Sequence, residues 1–400
     1  MQYQRFDPTD CRFPKPKVPL LPALSLQALG RGGATPFQPL GFGGNAQSFT
    51  RGRYALTEAY RLAGVGPDAA ILLPAYHCRT MLDPAIRLGA PIVLYSLQLD
   101  LSPDLSALVN SLATSPHPVK ALLLTHYFGF KQDLDPIVDF CTQHHITLIE
   151  DCSHALFIHA ADSAYASKPV MGKTGRYGVA SPYKFFPSED GGLLWVNAPD
   201  AAPLASRTPQ SLKLEIKGVV HTLQHAHKSS VVPSEANLLT LQALPGPAGH
   251  DALEQSSSTS PYYQPAEELQ QSLACSRWVI RHTNLQRLAE SRRQHYQQWV
   301  SAVAGLPHCR ALFPAMPADC VPYMFPLYID HPETHFFALK RLGVPIWRWD
   351  DMAVSDCAVA ADFRLHLLHI PCHQELTPEQ MNWMTGTIQQ VMCQVPVQNC

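Results

Sequence analysis

Five short apolar runs, at 70–73, 91–95, 121–125, 146–150 and 193–196, punctuate the first half of the chain. Between them, 80–88 and 134–144 carry apolar residues at helical spacing. Runs that are apolar at successive positions, rather than alternating, suit strands covered on both faces, as in a mostly parallel sheet packed between helices. Residues 50–63 (TRGRYALTEAYRLA) put Ala55, Leu56, Ala59, Leu62 and Ala63 at helical spacing, and Gly64 with Gly66-Pro67 supplies the stop. The rhythm predicts an α/β domain, in which ligands gather beyond the carboxyl ends of the strands.

Residues 1–45 are rich in Pro and Gly, ending in Gly41, Gly43 and Gly44, and read as an extended arm over the body. Between about 198 and 262 the periodicity fades into polar, Pro- and Ser-rich sequence, read as a solvent-exposed connection. A long helix is expected from Pro265 through Leu273, Trp278, Leu285, Tyr296 and Trp299, followed by a strand at 324–329 and an amphipathic helix at 378–392. The divisions are an arm (1–45), a large domain (46–245), a flexible connection (246–264), and a bridging helix with a small C-terminal α+β domain (265–400).

Composition narrows the function. Four hundred residues with 46% hydrophobic content can bury a large core. A net charge of -2 without a block of like charges argues against nucleic-acid or polybasic membrane partners, leaving small-molecule chemistry. The first residues lack the continuous apolar core of a secretory signal, and no stretch reaches the roughly 18 apolar residues of a membrane span, so a cytoplasmic location is expected. Eleven cysteines without a CxxC pair fit neither a disulfide framework nor a structural zinc site and are read mostly as buried thiols. HTLQHAH (221–227) offers His221 and His225 at i,i+4 with no completing ligand, so no metal is expected.

Three elements carry candidate chemistry. The run at 146–150 ends in Glu150-Asp151-Cys152-Ser153-His154, which delivers a carboxylate and an imidazole at a strand end. Lys184 lies in SPYKFFPSEDGG (181–192), among aromatic neighbours able to desolvate an amine, just before a strand. Gly52, flanked by Arg51 and Arg53, opens a helix whose free N–H groups and dipole suit a phosphate. A lysine, a strand-end carboxylate and a phosphate-ready helix start are together what pyridoxal 5'-phosphate requires.

The order of these pieces resembles the DegT/DnrJ/EryC1/StrS aminotransferases from about residue 48 to 390. The resemblance rests on RGRYAL (51–56), LLPAYHC (72–78), THYFG (125–129), IEDCSHAL (149–156), GKTGRYGVASPYKFFPSEDGGLLWVN (172–197) and IPCHQELTPEQMNWM (370–384). It implies a fold-type I pyridoxal-phosphate enzyme, a homodimer, and amino transfer from a small-molecule donor such as glutamate to a nucleotide-linked keto sugar or related keto compound. By position it makes Lys184 the cofactor-bearing lysine, Asp151 the partner of the pyridine nitrogen and His154 the contact to the phenolic oxygen. Ser181, Gly52, Arg53 and Tyr54 fall in the phosphate region. Cys78 stands where many members carry a stacking ring, leaving Tyr76 or His77 for that role. Arg292 and Arg293 resemble the family's arginine pair and are read as structural. Two other readings stay open: a non-transaminating pyridoxal-phosphate enzyme of dehydratase type, and a non-catalytic binding relative.

Overall fold

The structure, a computed structural model, describes residues 1–30, 32–42, 46–161, 168–198, 204–228, 233 and 250–395. The chain begins with strand β1 (Gln2–Asp7), then β2 (Phe37–Pro39) and β3 (Ala46–Phe49). Helix α1 (Gly52–Leu62), β4 (Ala70–Pro74), α2 (Arg79–Arg87), β5 (Ile92–Tyr95), α3 (Leu105–Thr114), β6 (Val119–Thr125), α4 (Asp135–Gln143) and β7 (Thr147–Asp151) follow in alternation. After them come β8 (Phe157–His159), β9 (Tyr177–Ala180) and β10 (Gly192–Val196).

Among the described residues, seven of these strands form one sheet in the order β3-β10-β9-β7-β6-β4-β5. Five of them, from β9 to β5, run parallel, while β10 is antiparallel to both its neighbours. The unbroken apolar runs have the expected cause. Leu72, Leu122, Leu124 and Leu148 feed one buried cluster. Their neighbours Ile71, Leu73, Ala121, Leu123 and Ile149 feed the other. Alternate side chains point to opposite faces, and both faces are covered. Tyr54, Ala55 and Ala59 of α1 with Met81, Leu82 and Ala85 of α2 close the second face.

The stretch read as a polar connection holds α5 (Leu212–Lys228) and β11 (His250–Gln255), while 234–249 lie outside the described residues. Strand β11 pairs with β1 of the arm. Beyond it, Ser260 donates through its backbone N–H and its hydroxyl to Asp83, at 2.7 and 2.6 Å, tying this segment to α2.

The single long helix expected from Pro265 is instead two, α6 (Ala274–His282) and α7 (Leu285–Val303). Asn284 breaks it: its side chain accepts the Arg287 N–H at 3.0 Å and so starts a new helix. The remainder comprises β12 (Cys309–Ala311), β13 (Met324–Ile329), α8 (Pro332–Arg341), β14 (Asp351–Ala353), α9 (Ala358–His366), β15 (Leu367–Pro371) and α10 (Pro378–Gln394). Strands β12, β13 and β15 form an antiparallel sheet, and β14 pairs with β1. Trp299 of α7 is fully buried, stacks on Phe325 and donates to the Pro371 carbonyl at 3.0 Å. No helix among the described residues is long and apolar enough to cross a membrane.

Candidate active site

The carboxyl ends of β6, β7 and β9 point toward the start of α1, and a narrow cavity of about 40 Å³ opens there. Six of the eight candidate residues bound it: Gly52, Arg53, Asp151, His154, Ser181 and Lys184. Thr125, Cys78, Tyr183 and Trp349 also line it. A larger cavity of about 600 Å³, beside Phe130, Phe157 and Met171, contains none of the eight, so volume and candidate chemistry part company. Chemistry decides between them, because reactive groups define a site and empty space does not.

Asp151 ends β7 and is buried; one carboxylate oxygen accepts the Ser153 N–H at 2.9 Å. Its neighbour Glu150 faces the other way and acts as a lock. Glu150 accepts N–H groups from Gly172 (2.6 Å), Gly175 (2.7 Å) and Thr174 (3.0 Å) and meets His126 Nε2 at 3.0 Å. The His126 ring is fixed in turn, since its Nδ1 accepts from the Gln132 N–H. Glu150, His126 and Cys152 bring donor atoms within 4.8 Å of one another, but these hydrogen bonds already occupy the carboxylate and the imidazole.

Lys184 ends a single 3-10 turn, Pro182–Lys184, placed after β9. Its ammonium lies 5.4 Å from the centre of the Tyr323 ring. The backbone of this turn is held from behind by Arg292, which is fully buried. The Arg292 guanidinium donates to the carbonyls of Lys184 (3.0 Å), Phe185 (3.2 Å), Pro322 (3.1 Å) and Tyr323 (3.0 Å), and to Gln374 Oε1 (2.9 Å). All five of its donors are thereby used, which supports the structural reading of this arginine.

His154 lies against Tyr323, ring centres 4.4 Å apart and nearly parallel, with Trp349 at 5.7 Å on its flank. Burial, with Lys184 nearby, holds its pKa well below the usual histidine value, so the ring is neutral. His154 Nδ1 and Thr125 Oγ1 are buried without a hydrogen-bond partner among the described residues. Two unmatched polar atoms at one cavity are an unusual expense for a folded chain and suit a polar ligand placed between them.

Gly52 is required by close approach: a Cβ there would stand 2.2 Å from Ser181 Oγ. Ser181 Oγ also meets Ser153 Oγ at 3.1 Å, which sets two hydroxyls beside the helix start. Arg51 lies over the Tyr183 ring at 4.9 Å and donates to the Glu189 carbonyl. Arg53 donates to the Tyr262 carbonyl while still lining the cavity.

The structure places the other two candidates elsewhere. The Tyr54 hydroxyl accepts the Gln264 N–H at 3.0 Å, and its ring packs edge-on against Tyr263 in the core. His77 is fully buried, with Nδ1 against the carbonyls of Ala75 and Pro74 and Nε2 accepting from the Ala353 N–H. Both ring nitrogens are spent on backbone, so His77 faces away from the cavity. Tyr76 also turns inward, bonding His369 Nε2 at 2.9 Å and packing on Trp349 at 4.6 Å. Thr125, Tyr323 and Trp349 are the residues that sequence reasoning passes over. Thr125 opens the quoted THYFG segment at a strand end, a position that signals it; Trp349 carries no such signal.

Tyr323 reaches the site because Gly129 permits it. Gly129 has φ +105°, and a Cβ there would meet the Val321 carbonyl oxygen at 2.6 Å. The two backbones therefore touch, and the Tyr323 N–H donates to the Phe128 carbonyl at 2.9 Å.

Residues 42–389 match the family described as the DegT/DnrJ/EryC1/StrS aminotransferase family. The chain belongs to that family. Among curated relatives, the UDP-4-amino-4-deoxy-L-arabinose--oxoglutarate aminotransferase of Shewanella sediminis is 31% identical over 112 residues, 28% of this chain and 27% of that protein. The GDP-perosamine synthase of Vibrio cholerae is 25% identical over 164 residues, 38% of this chain and 40% of that one. The matches span between 22% and 41% of the length of such relatives. The fold extends further than the sequence likeness. The aminotransferase TlmJ from Streptoalloteichus hindustanus superposes with TM-score 0.61 at 17% identity, over 94% of this chain and 98% of that one. Helicobacter pylori PseC, an aminotransferase involved in pseudoaminic acid biosynthesis, gives 0.57 at 16%, over 87% and 86%.

Proposed function

We propose that this member of the family is a pyridoxal-phosphate-dependent aminotransferase whose acceptor is a nucleotide-linked keto sugar or a related keto compound. The observation that carries the reading is the meeting of Lys184, Asp151 and His154 at one cavity beside the start of α1. The donor set fits the cofactor: an amine, a carboxylate at a strand end, hydroxyls and a helix start for a phosphate, and two unmatched polar atoms. Space is tight, since about 40 Å³ holds on the order of three waters, so the half-exposed Lys184 and Tyr183 must move to admit a ring.

When bound, pyridoxal phosphate supplies the carbonyl that joins an amine and the ring that takes up the electron pair left on the substrate carbon. The chain's own groups do the rest. The Lys184 amine would bear the cofactor and would move the proton to and from the substrate carbon. The Asp151 carboxylate holds a proton on the pyridine nitrogen. The neutral His154 ring offers Nδ1 to the phenolic oxygen, Ser181 and the first turn of α1 take the phosphate, and Arg53 adds charge-assisted bonds. Tyr323 and Trp349 keep water off the ring faces.

The homologous sugar aminotransferases support the acceptor class, and glutamate is the proposed donor. A second copy of the chain is the proposed partner: α5 exposes Leu212, Ile216, Val220 and Leu223, a row that suits an interface. Sedimentation at micromolar protein should report a dimer; a monomer there would remove that partner. The activity is tested by adding glutamate alone to cofactor-loaded protein. An aminotransferase loses its yellow absorbance without any acceptor, because the first half-reaction is complete in itself. Yellow protein that stays unchanged with a panel of amino donors would favour the dehydratase-type reading.

A further inference from the structure

Three imidazoles meet where the turn after α7 approaches the start of α8. His308 precedes β12, His331 caps α8 and His335 stands one turn into it. Their ring centres are 5.1 Å (His308 to His331), 5.6 Å (His308 to His335) and 5.9 Å (His331 to His335) apart. None of the three lines the Lys184 cavity.

His335 is the unusual member. It is 0% exposed, yet neither ring nitrogen has a hydrogen-bond partner among the described residues. Leaving a buried donor or acceptor unmatched is destabilising, so a ring with both nitrogens unmatched calls for a partner. His308 has φ +61°, in the left-handed region that residues with a side chain seldom adopt, and its carbonyl accepts the Asp330 N–H at 2.9 Å. That turn presents the His308 ring to the other two. Carboxylates flank the cluster: Glu333 lies 3.5 Å from His331 Nδ1, and Asp330 pairs with Arg310 at 3.4 Å.

We propose that His308, His331 and His335 bind a divalent first-row transition ion, zinc by ligand chemistry, which ties the start of α8 to the turn before β12. Imidazole suits zinc, and with Zn–N near ~2.1 Å two rings on one tetrahedral ion hold their centres roughly 5 Å apart, close to the separations found. As placed, the nitrogens do not yet converge: among the described residues, only His126, Glu150 and Cys152 bring donors within 4.8 Å of one another. His308 and His331 are partly exposed, whereas His335 is buried. The ion would draw the two exposed rings onto the buried one, with a water or Glu333 in the fourth position. Residues 23 and 27 positions beyond His308 escape any short zinc motif, which is why sequence spacing expects no metal here.

The test uses the full chain, stripped with a chelator, dialysed and titrated with Zn²⁺ alone by calorimetry, with the thermal midpoint followed in parallel. The expected result is one equivalent per chain and a midpoint that rises with zinc concentration. His308→Gln and His331→Gln, at partly exposed positions, should each weaken binding roughly tenfold or more and abolish the rise. His335→Gln should do the same if it folds. The other imidazole pair, His221 and His225 with ring centres 4.2 Å apart, is the control, and replacing both with Gln should leave the titration unchanged. No uptake of zinc, uptake indifferent to His308→Gln and His331→Gln, or uptake lost with His221 and His225 would overturn the assignment.

Discussion

Asp151 and Lys184 reach one cavity from different strands, and each depends on a neighbour that does no chemistry. Asp151 is buried, with one oxygen engaged by the Ser153 N–H. An amide at 151 would keep that hydrogen bond and the same volume, yet could not hold a pyridine nitrogen protonated. Asp151→Asn should therefore still bind pyridoxal phosphate while turnover falls about 10²-fold or more. Steady-state kinetics beside a binding titration decides the point, and near-normal turnover would take Asp151 out of this role. Both residues are legible in the sequence because a carboxylate after a buried run and a lysine before another strand are positions with a reason. Tyr54 and His77 mislead for the converse reason. Proximity in sequence to a helix start or strand end says nothing about rotation, and their polar atoms turn to Gln264 and to backbone carbonyls.

At the scale of elements, α7 governs the lysine turn through Arg292. Lysine at 292 could make at most three of the five hydrogen bonds, so at least two charge-assisted bonds to buried oxygens are lost, although Gln374 Nε2 still donates to the Phe185 carbonyl. At about 1–3 kcal/mol for each, Arg292→Lys should lower unfolding free energy by about 3 kcal/mol in urea and also reduce turnover, since the Lys184 carbonyl loses its anchor. Unchanged stability would show that the buried network is replaceable. The strands of the main sheet are legible because burial on both faces leaves an unbroken apolar run. Helix α5 is not: positions 212, 214 and 216 alternate like a strand, and the apolar face they continue stays open to solvent within one chain. The break between α6 and α7 is missed because the apolar spacing runs through Thr283 and Asn284, while a single capping side chain resets the helix.

Across the whole molecule, buried histidines set the response to acid. His77, His369 and His373 are at most 2% exposed, and burial pushes their pKa values down to about 4, 3 and 3. Unfolded, each takes up a proton near pH 6.5. Below that pH the unfolded chain binds more protons than the folded one, so stability is full above pH 6.5 and falls as pH drops toward 4. The loss is about 1.4 kcal/mol per pH unit for each ring. Asp190 works in the opposite sense, because burial raises its carboxyl to about 6 and the folded state gains protons first. The three rings together lose about 6 kcal/mol between pH 7.5 and 5 and Asp190 returns about 1.4, so urea unfolding at pH 5 should give a free energy lower than at pH 7.5 by roughly 4–5 kcal/mol. A flat profile would mean that these rings are not neutral in the fold.

The proposed chemistry stands or falls on whether the Lys184 amine carries the cofactor within an intact fold. Borohydride reduction of protein loaded with pyridoxal phosphate, followed by peptide mapping, tests it most directly. A single modified peptide containing Lys184 is expected, and no modified peptide in Lys184→Ala, whose circular dichroism and melting midpoint should match the parent because the side chain is partly exposed. Label on a peptide with some other lysine, or equal labelling of the Lys184→Ala protein, would contradict it.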